Sequence, residues 1–208
     1  LFYRLERITL ITTNNRYIIW IGKLECLSPN FIYEDDILYN KNKSKIISFR
    51  NQNLEAYVIP ASVTSIGDRA FSGCSSLSSI VIPDSVTSIG DGAFAGCSSL
   101  SSIVIPASVT SISNSVFSRC SSLSNIVIPA SVTSIGNNAF SYCNSLSNIV
   151  IPASVTSIGG WAFSNCSSLS NIAIPASVTS VDSSAFYECN FPNSLKQELI
   201  SRFGDEIF

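Results

Sequence analysis

A pattern of hydrophobic and polar positions recurs with a 23-residue period from position 59 to position 189 of the chain. A typical copy contains Ile-Pro, then Val-Thr-Ser-Ile, then Ala-Phe and Cys, and ends in Leu-x-x-Ile-x-Ile. One proline in each copy marks the period: Pro60, Pro83, Pro106, Pro129, Pro152 and Pro175. A fixed period of this length is typical of a solenoid, in which each repeat buries its apolar side chains only by stacking on its neighbours.

The last part of each repeat has the spacing of a short β-strand. In the segment 77–82, Leu77, Ile80 and Ile82 are apolar and alternate with positions that are free to face outward. Pro83 follows, and it ends the strand because proline has no N–H group with which to continue a ladder. The pattern predicts one such strand in every repeat, with its apolar side chains in the core.

Two further groups of apolar residues complete the repeat. Val86 and Ile89 form a second inward-facing pair. Ala93, Phe94 and Cys97 then have the spacing of one short helical turn, which would place the phenylalanine ring in the interior.

The two ends of the chain depart from the repeat. Two β-favouring runs at 8–13 and 17–21 predict a hairpin, and three more at 31–33, 37–39 and 46–49 predict a small meander. At the other end, Leu195, Leu199, Ile200 and Phe203 have helical spacing and are followed by Gly204, a helix stop signal. Both regions are expected to act as caps, because an open stack end exposes core and strand edge.

The predicted fold is therefore a β-rich α/β solenoid, a stack of 23-residue repeats with short strands and short helical turns, capped at both ends. Leu54 lies one full period before Leu77, so the array is expected to begin there. This gives a β-rich N-terminal cap over 1–53, a solenoid of about six repeats over 54–190 and a C-terminal capping helix over 191–208.

Composition excludes some classes of function. Only 12% of the 208 residues are charged, the net charge is −2, and no basic stripe is present. Release of counterions from nucleic acid would gain little from such a chain, so nucleic acid is not an expected partner. No apolar run approaches the roughly 20 residues of a membrane-spanning helix. The chain begins with Leu and lacks Met, so we expect a processed product or a fragment.

Seven cysteines raise the question of disulfides, and six of them occur once per repeat: Cys74, Cys97, Cys120, Cys143, Cys166 and Cys189. Equivalent cysteines in stacked rungs would lie about 4.8 Å apart, but with parallel Cβ directions that are unfavourable for a disulfide. We favour buried free thiols that act as small apolar groups. Some disulfide bridging is the alternative, and metal binding is disfavoured because the chain has no His and no paired ligand spacing.

Candidate catalytic groups are sparse. Without His, neither a Ser-His-Asp nor a Cys-His arrangement exists. Asp68 and Asp91 occupy equivalent repeat positions and are interpreted as solvated turn residues. No phosphate-binding or dinucleotide-binding glycine motif occurs. We therefore expect no enzymatic activity, no cofactor and no metal.

The repeat I-P-x-S-V-T-S-I-G-x-x-A-F-x-x-C-x-S-L-x-x-I-x resembles the BspA-like, or Treponema-type, leucine-rich repeats from Leu54 to Cys189. Segment 37–49 also resembles the strand-turn-strand inserts of that family. The resemblance implies a leucine-rich-repeat solenoid. The family includes surface proteins of bacteria and of parasitic or commensal protists, several of which are adhesins, so the resemblance also implies a surface role. Other members are cytoplasmic or of unknown role.

Two surfaces are candidates for partner contact. The first comprises the outward positions of the strands: Ser79, Ser102, Asn125, Asn148 and Asn171, with Val81, Val104, Val127, Val150 and Ala173 beside them. An apolar stripe flanked by polar residues is typical of an interaction site. The alternative is that valine is present only because it suits a strand.

The second surface comprises positions near Ala-Phe that differ between copies: Arg69, Arg119, Tyr142, Trp161, Tyr187 and Glu188. Arg and aromatic residues dominate binding hot spots. The alternative is sequence drift at unconstrained positions.

The sequence thus favours a non-enzymatic protein-binding module, a cell-surface or secreted adhesin-like protein that recognises host or neighbouring-cell proteins. The alternative is an intracellular scaffold or a structural subunit of a larger complex. The oligomeric state is left open.

Overall fold

A computed structural model describes residues 29–208 of the chain. The hairpin predicted at 8–13 and 17–21 lies outside the described residues. The described part is a β-solenoid of about six turns, built from the 23-residue repeats. Three parallel hydrogen-bond ladders run along the stack, and a column of aromatic rings lies inside it.

The first ladder consists of the predicted strands. They are β4 (Ala56–Val58), β6 (Ser79–Val81), β8 (Ser102–Val104) and β10 (Asn125–Val127). β4 pairs with β6 and β8 pairs with β10, in parallel and in register, and a bridge between Val150 and Ala173 continues the pattern. Within each strand the central side chain is more buried than its two neighbours, as the apolar spacing predicted.

The second ladder was not predicted as strands. It consists of two-residue strands: β5 (Ser65–Ile66), β7 (Ser88–Ile89), β9 (Ser111–Ile112), β11 (Ser134–Ile135), β12 (Ser157–Ile158) and β13 (Ser180–Val181). The apolar pair in Val-Thr-Ser-Ile is buried as expected, with Val86 and Ile89 as one example. Such short strands are too brief for an alternating pattern to identify them.

The third ladder lies where short helical turns were predicted, and that prediction is wrong. Residues 91–96 form consecutive turns, and no helix is present in this part of the repeat. The Phe71 N–H donates to the Ala93 carbonyl at 2.8 Å, and the Phe94 N–H donates to the Val116 carbonyl at 3.0 Å. Alternate N–H groups of the turns therefore bond to the next repeat, and those between them, such as Ala95 to Gly92, bond within the segment. A helix would keep all of these bonds within its own segment.

The core is a column of six phenylalanine rings, one from each repeat: Phe71, Phe94, Phe117, Phe140, Phe163 and Phe186. Neighbouring rings stack with centroids 5.3–5.8 Å apart. Each ring is fully buried, so its replacement by alanine would cost about 3–5 kcal/mol of stability. The leucine, isoleucine, valine and cysteine side chains of the repeats fill the remaining interior.

The predicted meander is present. β1 (Phe31–Glu34), β2 (Ile37–Asn40) and β3 (Lys45–Phe49) form antiparallel pairs.

The solenoid ladders also continue into β3. This strand pairs in parallel with β5, and the Gly67 N–H donates to the Ile46 carbonyl at 2.7 Å, as the repeat glycines do elsewhere. The Phe49 N–H donates to the Ala70 carbonyl, and the rings of Phe49 and Phe71 lie 4.9 Å apart. β3 therefore occupies the place of a rung, although it is not offset from the first repeat by one full period.

A helix follows the last repeat, as predicted. α1 (Asn193–Phe203) buries Leu199 and ends at Gly204, whose φ of 91° suits glycine. Arg202 donates from its two terminal nitrogens to the carbonyls of Ile174 and Pro175, at 2.7 and 3.1 Å. These bonds fix the helix to the first residues of the last repeat.

The final residues complete the third ladder. The Ser184 N–H donates to the Glu206 carbonyl at 2.6 Å, and the Phe186 N–H donates to the Ile207 carbonyl at 2.8 Å. The Phe208 ring lies 6.1 Å from Phe186, at the end of the aromatic column. The short 3-10 helix Asp205–Ile207 thus supplies the acceptors that a further repeat would have supplied.

Candidate partner-binding surfaces

The strand positions predicted to face outward do so. Their valines form a row on the first ladder, the valine row: Val58, Val81, Val104, Val127 and Val150, each 54–73% exposed. Ala173 continues the row and is also exposed. Val58 was missed in the sequence because the repeat signature before Pro60 is incomplete.

A second row lies beside the valine row. It is the amide row, Ser79, Ser102, Asn125, Asn148 and Asn171, and all five side chains are exposed. The buried isoleucine between the two rows, for example Ile80, places them on one surface. We call the two rows together the strand face.

The strand face combines apolar and polar groups without charge. Successive rungs of the stack place equivalent side chains about 4.8 Å apart, so five valines form a stripe roughly 19 Å long. Hydroxyl and amide groups along its edge can both donate and accept hydrogen bonds. An exposed apolar stripe with such a border is typical of a protein contact surface.

The variable turn residues other than Tyr187 lie in two rows with left-handed backbone. The turn row has φ of 58–78° and consists of Gly73, Gly96, Arg119, Tyr142, Asn165 and Glu188. The second turn row has φ of 54–62° and consists of Arg69, Gly92, Ser115, Asn138, Trp161 and Ser184. Residues other than Gly and Asn are disfavoured in this conformation. The sequence held a clue, since Gly or Asn occupies these columns in several copies.

The structure brings some of the predicted turn residues together and separates others. The Arg119 guanidinium lies 5.6 Å from the centre of the Tyr142 ring, a cation–π contact between consecutive repeats. Tyr142, Trp161 and Tyr187 are 46–49% exposed and occur in the last three repeats. Arg69 is in the first repeat, four rungs before Trp161, and does not belong to this cluster.

An open depression of about 610 Å³ lies at the C-terminal end of the turn row. Tyr187, Glu188, Lys196 and Phe208 are among the residues that line it. The Lys196 ammonium lies 5.7 Å from the centre of the Phe208 ring. The depression is therefore bordered by aromatic surface and by one charge of each sign.

The two equivalent aspartates have a structural role that the sequence did not reveal. The Asp68 Oδ1 accepts a hydrogen bond from the Asp91 N–H at 3.1 Å, and the Asp91 Oδ1 accepts one from the Asn114 N–H at 3.0 Å. Asn114 and Asn137 continue the series to Asn137 and Gly160. These exposed side chains join successive turns and do not form an acid pair.

The six repeat cysteines are buried free thiols, as predicted. Each thiol from Cys97 onward donates to a phenylalanine carbonyl of the preceding repeat, for example Cys97 to Phe71 at 3.2 Å. Burial raises the pKa of Cys74, Cys120 and Cys189 to about 12. Thiols held neutral in this way are poor nucleophiles and poor metal ligands.

Within residues 29–208, no group of His, Cys, Asp and Glu has an arrangement that could hold a metal ion. No helix in the same range has the length and apolarity required to span a bilayer.

Residues 45–151 and 133–208 match the family model described as BspA type leucine rich repeat region, in six copies. A solved leucine-rich repeat protein of T. pallidum is 28% identical, with a TM-score of 0.66, and the match covers 84% of this chain and 94% of that one. A leucine-rich repeat protein from Eubacterium ventriosum is 27% identical, with a TM-score of 0.64 and coverage of 79% and 51%. One from Bacteroides ovatus is 34% identical, with a TM-score of 0.59 and coverage of 73% and 44%. The chain thus spans nearly all of the first protein and about half of the other two. The comparison with curated proteins found no match.

Proposed function

Because the chain belongs to the BspA-type leucine-rich-repeat family, we propose that it is a protein-binding module that contacts its partner through the strand face. The observation that supports this proposal most directly is the valine row, with five consecutive valines at least half exposed. Valine suits a strand at any exposed position, so strand propensity accounts for single valines. Five such valines in successive rungs, with no charge among them, give a partner a continuous apolar surface to cover.

The chemistry of the strand face indicates the kind of partner. The valine row offers apolar contact, and the amide row offers hydrogen bonds to main-chain and side-chain groups of another protein. Neither row contains a charged residue, so the affinity would depend little on ionic strength. This distinguishes the strand face from the turn rows, which contain Arg69, Arg119 and Glu188.

The partner we propose is a protein of a host or a neighbouring cell, which makes the chain a cell-surface or secreted adhesin-like protein. Two features support this finer assignment. The repeats keep their surface polar with Ser, Thr and Asn in place of Lys and Glu. The family resemblance described above includes surface proteins with adhesive function.

An intracellular scaffold is the second candidate, and the cysteines favour it. Six buried thiols are free, as is usual in a reducing compartment. Protease treatment of intact cells that produce the protein, followed by detection with an antibody to the repeats, separates the two candidates. Loss of the signal supports the surface assignment, whereas protection until the cells are lysed supports the scaffold.

The strand face itself is tested by the triple variant Val81→Thr, Val104→Thr and Val127→Thr. Threonine has nearly the shape of valine and suits a strand, so the fold should be retained, but each change removes apolar contact. We expect binding to weaken about 100-fold if each valine contributes about 1 kcal/mol. Binding to a panel of purified extracellular-matrix proteins is measured by surface plasmon resonance at up to about 10 µM.

The matched control changes exposed alanines that lie three residues after Val104 and Val127 and outside the strand face, Ala107→Ser and Ala130→Ser. The control should bind like the wild type. Equal binding by the wild type and the triple variant would rule out the strand face. Absence of binding to every matrix protein and to intact cells would rule out the adhesin assignment.

A further inference from the structure

The turn row has opposite charges at its two ends in the last four repeats. Arg119 is followed by Tyr142, Asn165 and Glu188, one residue in each repeat. Backbone hydrogen bonds connect these turns, for example from Tyr142 N–H to the Ser164 carbonyl at 2.8 Å. The four residues therefore follow at the rung spacing of about 4.8 Å, and Arg119 and Glu188 lie about 14 Å apart.

Neither end of this row is neutralised within the described residues. Lys43 and Glu34 form a salt bridge in the meander, and neither Arg119 nor Glu188 takes part in it. Arg119 contacts the Tyr142 ring, and Glu188 borders the open depression. A charge of each sign is therefore available to an outside group.

The backbone does not require these side chains. Gly73 and Gly96 occupy the same column in the first two repeats, with φ of 78° and 77°, and the turn has the same hydrogen bonds there. Arg119, Tyr142 and Glu188 adopt this left-handed conformation although L side chains are disfavoured in it. Retained strain of this kind is typical of functional positions.

The turn row of one copy is complementary to the turn row of a second copy that runs in the opposite direction. When a second copy lies antiparallel to the first, Arg119 faces Glu188 and Tyr142 faces Asn165. A two-fold axis between the repeats of Tyr142 and Asn165 makes both contacts twice, which is the self-complementary arrangement that a symmetric dimer requires. We propose that two copies of this chain form a weak symmetric dimer through antiparallel packing of their turn rows.

Side-chain size agrees with this arrangement. The same axis places Asn138 opposite Trp161 in the second turn row, and Ser118 opposite Tyr187. Each large exposed side chain thus faces a smaller one, so the aromatic groups of the two copies avoid each other. The depression beside Glu188 leaves room for Arg119 of the second copy. Lys196 lines the same depression and would repel the guanidinium of Arg119.

The dimer must be weak because its interface is small. Four rungs span roughly 14 Å along the stack. An interface of about 800 Å² per partner needs a longer contact than that. We expect a dissociation constant on the order of 100 µM, increasing with salt because the end contacts are ionic. This interface is separate from the strand face, so either assignment can fail without the other.

Charge reversal tests the pairing. Arg119→Glu alone and Glu188→Arg alone each create like-charge contacts at both ends of the interface, and we expect about tenfold weaker dimerisation for each. The double variant exchanges the two charges and should dimerise like the wild type. Sedimentation equilibrium of the full chain between about 10 µM and 1 mM measures all four proteins. A monomeric wild type at 1 mM, or a double variant no better than the singles, would overturn the proposal.

Disulfide cross-linking tests the antiparallel orientation, because oxidation traps even a weakly populated dimer covalently. In a Cys26→Ser background, the double variant Arg119→Cys, Glu188→Cys has its new thiols about 14 Å apart within one copy, too far for an internal disulfide. Oxidation should give a covalent dimer. Each single-cysteine control should stay largely monomeric, because residue 119 faces residue 188 and not itself. Equal cross-linking of the single variants would contradict the antiparallel register.

Discussion

At the scale of the residue, the buried thiols show how one repeated position can serve the fold without reactivity. Each cysteine packs beside the phenylalanine column, and from Cys97 onward each thiol donates to a phenylalanine carbonyl of the repeat before it. Burial favours the neutral thiol and raises its pKa from 9.0 to about 12 at Cys74, Cys120 and Cys189. Stability therefore depends on these groups staying protonated.

Alkaline pH should unfold the protein with a steep dependence on pH. The folded pKa lies above the unfolded one, so the stabilisation is fully present below pH 9 and is lost as the pH rises from 9 towards 12. Each thiol that ionises only on unfolding costs about 1.4 kcal/mol per pH unit in this window. Urea denaturation at pH 8, 9, 10 and 10.5 measures the slope.

The control for this prediction is the variant Cys97→Ala, Cys120→Ala, Cys143→Ala, which is less stable at pH 8 because cavities remain. Its free energy of unfolding should fall about half as steeply above pH 9, because half of the buried thiols are gone. A slope equal to that of the wild type would mean that the thiols do not govern the alkaline transition.

The burial of the thiols could be predicted from the sequence, because a cysteine follows the phenylalanine at the same spacing in each repeat. The left-handed backbone of the two turn rows could not be predicted in the same way. Arg119, Tyr142 and Trp161 are unusual in that conformation, and the hydrogen bonds that impose it join residues of neighbouring repeats. Those bonds are set by the stack and not by local sequence.

At the scale of the element, successive rungs approach closely at the glycine after the second strand. A Cβ on Gly90 would lie 2.6 Å from the Asp68 nitrogen and 2.8 Å from the Gly67 carbonyl carbon. Gly136 and Gly159 would meet the preceding rung at similar distances. Glycine at this position therefore allows the backbones of successive rungs in the second ladder to approach each other closely.

Two glycine variants separate close packing from backbone strain. Gly90→Ala should cost about 2–3 kcal/mol, because its methyl group meets the backbone of the preceding rung. Gly73→Ala should cost about 1 kcal/mol, because its φ is 78° but nothing lies within 4 Å of the added methyl group. Urea denaturation at pH 7 measures both, and equal losses of stability would contradict this account of the second ladder.

The second ladder is interrupted between β7 and β9, at the repeat in which Ser113 occupies the glycine position. Asp182 occupies that position in the last repeat, where β12 and β13 remain paired. A side chain at this position is therefore not sufficient to break the ladder. At Ser113, however, the side-chain hydroxyl donates to the Ile89 carbonyl, the acceptor that the backbone N–H of this position uses in the other repeats.

The helical turn was predicted wrongly for a physical reason. Ala93, Phe94 and Cys97 have a spacing that fits either a helical turn or a chain of turns with three inward side chains. The choice depends on whether the N–H groups find acceptors in the same segment or in the next repeat. Here the Phe94 N–H bonds to Val116 of the next repeat, a contact that a local spacing rule does not detect.

At the scale of the whole molecule, both ends of the stack imitate a repeat. β3 provides acceptors and the Phe49 ring at one end, and residues 205–208 provide acceptors and the Phe208 ring at the other. We propose that these segments, with α1, act as the caps. The sequence predicted the meander and the helix from their apolar spacing. It did not predict their hydrogen bonds to the stack, because neither end keeps the period of the repeats.

The repeated architecture could be predicted from the sequence far more completely than the binding surface. Buried positions such as Phe94 and Ile80 repeat in every copy because the core constrains them. Outward positions such as Val104 and Tyr142 are constrained only by a strand, a turn or a partner, and sequence alone does not distinguish these causes. The structure shows which of them are exposed, and a binding measurement must show which of them are used.

The most direct test of the central claim is whether a bound partner covers the strand face. In a Cys26→Ser background, Val104→Cys places a reactive thiol on the strand face and Asn165→Cys places one on the turn row, while the native repeat thiols remain buried. The rate of alkylation by iodoacetamide is measured with and without a saturating matrix protein identified in the binding panel. We predict that the partner slows alkylation at position 104 about tenfold or more and leaves position 165 unchanged, because it excludes reagent from the valine row. Unchanged alkylation at position 104 in the complex would contradict the assignment of the strand face as the binding surface.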